Sequence, residues 1–186
     1  MVVYVAAALV AFGCFSMVAA KEPLTRQPVY NPHSKSYFQI FSDNKHPGNW
    51  HAARQRARSK SYKGVLGRLA VVDSLETHQF LVKTLGLNQR GISTWIGLRY
   101  WCDGRMLQWE SGRPFSPSDP DHLRLWHIPW YRGEAGSKDA CEYTGSRRHG
   151  FAPVYYRTVG GITRWQAVGA AKFFADYIVE YPTGSE

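Results

Sequence analysis

Between Asp119 and His149 the chain gathers side chains that catalysis and metal binding often use: Asp119 and Asp121, His122 and His127 around "LRLW", Glu134, Asp139, then Arg147, Arg148 and His149. Imidazoles and carboxylates in that density raise the idea of a zinc cluster, yet the set follows no recognised ligand pattern and reads as loop histidines. The chain contains no G-x-S-x-G, Walker, CxxC or H-E-x-x-H segment, so nucleophilic and phosphate chemistry lack a motif. The Asp119/Asp121 pair is the remaining opening for acid–base work. The expectation is therefore no enzyme, no metal and no cofactor.

What remains is binding chemistry. Trp126, Trp130, Tyr131 and Arg132 crowd the same loop, with Tyr155 and Tyr156 on what reads as a later insertion. Trp, Tyr and Arg dominate protein hot spots and also stack on sugar rings, although part of this set is expected to plug the loop onto the body of the domain. A second candidate is basic: Arg54, Arg56, Arg58 and Lys60, followed by Lys63 and Arg68, with Arg147 and Arg148 elsewhere. It is either a solvated helix face or a polyanion site.

The elements that must position these groups fit a single domain. The chain has 186 residues, 44% hydrophobic and 15% aromatic, enough for a full core. The 23 Lys+Arg against 14 Asp+Glu leave a net charge of +9, which favours sulfated glycans, acidic protein surfaces or anionic lipid heads. Residues 1–20 carry no charge and end in Val18-Ala19-Ala20, small residues at signal-peptidase spacing before Lys21. They read as a secretory leader or, because no Lys or Arg precedes an apolar run almost long enough to span a bilayer, as a retained N-terminal anchor with membrane association. Either places the domain outside the cytoplasm and sets nucleic acid aside as a partner. Two cysteines then remain, Cys102 and Cys141, and an oxidising compartment favours a disulfide over two unrelated buried thiols.

Residues 21–34 hold three prolines and read as an extended lead-in. "SYFQIF" (residues 36–41) is a predicted strand. Trp50, Ala53 and Ala57 mark the packing side of a helix, with the other side basic. "GRLAVVDSLETHQFLVKTLG" predicts a short strand, then a helix opened by Asp73 or Ser74 and closed by Gly86. "STWIGLRYW" (93–101) and "GRMLQWESGRPF" (104–115) predict further strands and a turn. About twenty-five loop-like residues follow before Ala140-Cys141-Glu142-Tyr143 resumes a strand pattern. The closing segment "RWQAVGAAKFFADYIVEYP" predicts a tight loop and a half-buried strand with Phe173, Ala175, Tyr177, Val179 and Tyr181 facing in.

This order resembles a C-type lectin-like domain. The resemblance is carried by the helix pattern around Trp50, by "GRLAVVDSLETHQFL", by Trp95-Ile96-Gly97-Leu98 and by the closing Tyr177 to Tyr181, and it covers residues 35–182, leaving 183–186 as a tail. It implies an α+β double-loop fold: two helices, two small antiparallel sheets, paired chain ends and a long ligand loop. The family's first disulfide position falls on Ala57 and Val179, so a packed apolar contact is expected in its place. Its second would join Cys141 to the position of Ala170, which leaves a non-standard Cys102–Cys141 bridge.

The family's calcium ligands map onto Glu134-Ala135-Gly136, Asp139 and Trp165-Gln166-Ala167. A proline, one Asn and the Asp are gone, and Gln166 is one methylene longer than its Asn, which argues against a site needing six to eight oxygens. Trp165 reads as a core residue beneath the loop. The expectation is an extracytoplasmic, non-enzymatic module that binds a glycan or protein without calcium, with Trp126, Trp130, Tyr131, Arg132, Glu134, Asp139 and Gln166 as ligand candidates. The alternatives are a calcium-dependent carbohydrate-binding lectin and a structural subunit docked in a membrane-associated assembly.

Overall fold

The structure, a computed structural model, describes Thr25 and residues 27–89, 93–116, 118–120 and 140–186. Its elements in order are β1 (Val29–Asn31), β2 (Ser36–Ser42), α1 (Trp50–Arg58), β3 (Ser61–Tyr62), β4 (Val65–Leu66), β5 (Arg68–Leu69), α2 (Leu75–Gln79), β6 (Ser93–Trp101), β7 (Met106–Trp109), β8 (Pro114–Phe115), α3 (Ala140–Thr144), β9 (Phe151–Val159), β10 (Ile162–Ala167) and β11 (Asp176–Tyr181). No helix among the described residues is long and apolar enough to cross a membrane.

The chain ends meet as the resemblance implied. β11 runs antiparallel to β2, with Tyr177 opposite Phe41, Val179 opposite Gln39 and Tyr181 opposite Tyr37. The expected small sheets are joined, because β11 also lies parallel to β6 at Asp176–Thr94 and Tyr177–Trp95. β6 carries β7 and then β8 on one line and β9 with β10 on another. The sheet begins earlier than residue 35, since Val29–Asn31 pairs with Ser36–Phe38 across a turn. Lys35 closes that turn at φ 51°.

Helix α1 starts where the Asn49 side chain accepts the Ala52 amide at 3.0 Å, satisfying one of the helix's free donors. Its buried residues are Trp50, Ala53 and Ala57, as the spacing predicts. In α2 the cap is Ser74, whose hydroxyl accepts the Thr77 amide; a π turn (Phe80–Thr84) follows, and Gly86 at φ 71° ends the run.

The final strand departs from its predicted pattern. All six residues of β11 are buried, because α1 and its aromatic neighbours cover one face while Phe38, Ile40, Ile96 and Ile178 pack on the other. A strand covered on both faces loses its alternation, as central strands do. Phe173, assigned inward, precedes the strand and is 56% exposed.

Ala57 and Val179 are both fully buried in one cluster, which realises the expected apolar contact. Gly67 lets it close: a Cβ there would lie 2.6 Å from both the Ala57 carbonyl and Val179 Cγ1. Gly97 of the "WIGL" segment is equally constrained, since its Cβ would meet the Leu69 carbonyl at 2.8 Å. Each large apolar side chain buried this way contributes about 1.5–3 kcal/mol, comparable with a typical disulfide.

Candidate functional site

The long loop leaves and returns at a covalent clamp. Cys102, directly after β6, is bonded to Cys141 in α3 across 39 positions of sequence, with Cα atoms 5.6 Å apart. The chain-entropy model puts such a closure at about 4 kcal/mol. Residues 140–143 form the start of α3 where a strand was predicted. A four-residue apolar–polar run does not by its periodicity separate strand from helix, and here a 3-10 turn (Ser146–His149) follows the helix. Trp126, Trp130, Tyr131, Arg132, Glu134 and Asp139 lie outside the described residues.

β9 and β10 stand on an aromatic floor. Trp165 on β10 is fully buried and packs against Trp109 at 5.6 Å, Phe115 at 5.7 Å and Tyr156 at 6.1 Å, which places it in the core as expected. Tyr155 and Tyr156 are not on an exposed insertion: both lie in β9, 7% and 0% exposed. Tyr155 packs edge-on to Trp95 and touches Phe174. The Tyr156 hydroxyl lies 2.8 Å from His78 Nδ1. Burial pushes His78 down to about 4, so the ring is neutral at physiological pH.

Gln166 sits on β10 beside this floor. Its Oε1 accepts from the Tyr155 hydroxyl at 2.8 Å and from Arg157 Nη1 at 3.2 Å, so the oxygen in the mapped ligand position already has two donors. Among the described residues no group of three or more His, Cys, Asp or Glu is placed to hold a metal ion.

The basic residues of α1 and of the turn after it do not share one face. A helix turns 100° per residue, so Arg54 and Arg58 project on one side of the buried stripe and Arg56 on the other, while Lys60 lies beyond the end of the helix. Arg56 donates to the His46 carbonyl at 2.8 Å and lies 3.6 Å from Asp43. Lys60 sits 4.1 Å above the Phe41 ring, and burial lowers its pKa. Arg54 and Arg58 both donate through Nε to Glu110 Oε1, at 2.9 and 2.8 Å, while Glu110 Oε2 accepts the Leu69 amide. The Glu110 side chain is 1% exposed.

Glu180 does the same work at the chain ends. It takes two bonds from Arg68, one from the Val71 amide and one from Ser36. It lines a polar groove of about 390 Å³ with His33, Lys35 and Arg113, where Arg113 is held by Asp73 and Asp119. Neither glutamate was singled out from the sequence. Arg99 was missed as well, though a charge inside the apolar run "WIGLRYW" is a legible signal.

Sequence comparison finds no matching family model and no matching curated protein. Structure comparison is decisive about the fold: this is a C-type lectin-like domain architecture. The C-type lectin CEL-I from Cucumaria echinata superposes with TM-score 0.54 at 17% identity, covering 78% of this chain and 89% of that one. Human lithostathine gives 0.55 at 15% identity, covering 94% and 97%. The C-type lectin domain of murine dendritic cell inhibitory receptor 2, solved with an N-glycan, gives 0.52 at 17% identity, covering 77% and 89%.

Proposed function

We propose that this chain is an extracytoplasmic, non-enzymatic C-type lectin-like binding module that recognises a glycan or protein ligand without calcium. The observation that carries the reading is Gln166: the amide oxygen aligned with a calcium ligand is occupied by Tyr155 and Arg157, and Ala167 beside it offers no side-chain oxygen. Calcium requires several convergent oxygens, and among the described residues the one mapped side-chain oxygen already has two donors. Ligand recognition then falls to the aromatic loop residues Trp126, Trp130, Tyr131 and Arg132, with Glu134 and Asp139 as polar contacts. Support for a glycan comes from the fold's likeness to the receptor domain bound to an N-glycan. The uncharged residues 1–20 support export, with or without retention as an anchor.

The test is a glycan array that includes sulfated and sialylated sugars, probed with calcium and again with EDTA. Equal binding in both conditions is expected. Binding lost in EDTA overturns calcium independence, and silence in both directs the search to protein ligands.

A further inference from the structure

Four basic groups from segments far apart in sequence lie close together around Trp50 and Glu110. Arg54 and Arg58 come from α1, Arg99 from the middle of β6, and His149 from the 3-10 turn leading into β9. His51 in the first turn of α1 links them: its ring lies 5.7 Å from Trp50 and 5.3 Å from Phe151, two residues after His149. Burial, then Arg54, Arg99 and His149, all lower the basicity of His51, which is the electrostatic record of their closeness.

Arg99 is the centre of the group. Its guanidinium carbon is 4.7 Å from the Trp101 ring, 5.1 Å from Trp50 and 5.7 Å from Phe151. Its buried Nε has no hydrogen-bond partner. Aromatic faces attract the cation without giving its N–H groups an acceptor. Glu110, the acid that acts on Arg99, already takes Nε of Arg54 and Arg58 and the Leu69 amide, so one carboxylate serves three arginines and two positive charges are left over. Among the described residues the Nη atoms of Arg54 and Arg58 make no hydrogen bond, and the Arg58 side chain is 52% exposed.

We infer that this face, built by Arg54, Arg58, Arg99, His51 and His149, is a binding site for the sulfate groups of an anionic polysaccharide. The inference rests on the binding-module reading above but places the anion on the body of the domain, outside the long loop. Planar guanidinium forks match sulfate oxygens in pairs, and cations spread over three elements match a polymer with repeated anions better than a single ion. Arg56, on the other side of the buried stripe, lies by Asp43, and Lys60, beyond the end of α1, sits over Phe41; neither takes part.

The experiment is salt elution of the full secreted chain from immobilised heparin and from a sulfopropyl resin. Wild-type protein is expected to leave heparin at clearly higher salt than the resin. Arg54→Gln and Arg58→Gln, each of which leaves the other arginine on Glu110, should each weaken heparin binding about tenfold, the size of one lost charged contact, while Arg56→Gln and Lys60→Gln leave it unchanged. Elution at the same salt from both matrices, or equal small losses in all four variants, reduces the patch to net charge and overturns the proposal. Displacement of heparin by polyglutamate at equal charge overturns the polysaccharide assignment. Binding of unsulfated sugars on the array without heparin retention sinks this site alone, whereas silence on the array with the heparin pattern intact sinks only the loop as a glycan site.

Discussion

His78 shows how burial converts one side chain into a pH liability. Its folded pKa is about 4 against an ordinary 6.5, because burial disfavours the charged ring. Between those values the unfolded chain binds the extra proton, so stability is fully present above about pH 6.5 and falls as the pH drops toward 4. At about 1.4 kcal/mol per pKa unit, the whole loss is about 3 kcal/mol. Thermal unfolding from pH 7 to 4 should therefore fall more steeply for the wild type than for His78→Gln; parallel curves remove His78 from the acid response. Glu110 is a buried acid held by two arginines and an amide. Such a carboxylate organises its neighbours more than it adds net stability.

At the level of elements, the missing family bridge is replaced by the contact of α1 with β11, and the contact depends on Gly67. A methyl group there would meet a carbonyl and a buried Val179 methyl at 2.6 Å, and neither has room to yield. Gly67→Ala is expected to cost about 2 kcal/mol or more, within the range of overpacked cores. Urea unfolding measures it, and an unchanged midpoint refutes the view that the apolar contact substitutes for the bridge. β11 itself draws on three partners: β2, β5 and β6 all pair with it. The last strand is thus held by the sheet as much as by side-chain packing.

At the scale of the molecule, the described surface offers no metal cluster, and the loop's aligned amide oxygen is already bonded. Millimolar calcium should leave the melting temperature unchanged, since a ligand that binds only the native state would raise it. A clear rise, reversed by EDTA, contradicts calcium independence. The charge of +9 acquires a location only in the folded chain, where some cations pair with buried acids and others gather around Arg99.

Much of the fold is legible without coordinates because it is written in local spacing. Trp50, Ala53 and Ala57 specify a helix face, Ser74 and Gly86 punctuate a second helix, and the residues of "STWIGLRYW" match β6 from end to end. The odd-residue stripe of the last strand and the basic face of α1 misled, since neither pattern contains information about what packs on the other side. Residues 54, 56, 58 and 60 look continuous in a line, yet at 100° per residue Arg56 parts from Arg54 and Arg58, and Lys60 falls beyond the end of the helix. Arg54 meets Glu110 across 56 positions and His51 meets Phe151 across 100, and no local pattern encodes such encounters. The sequence by itself determined the first helix face, the caps of the second helix and β6, because those follow from short-range spacing, and the order of these motifs carried the resemblance that implied the architecture. Only the tertiary structure decided which charges are buried, which are paired and which stand together, because those depend on contacts between segments remote in the chain.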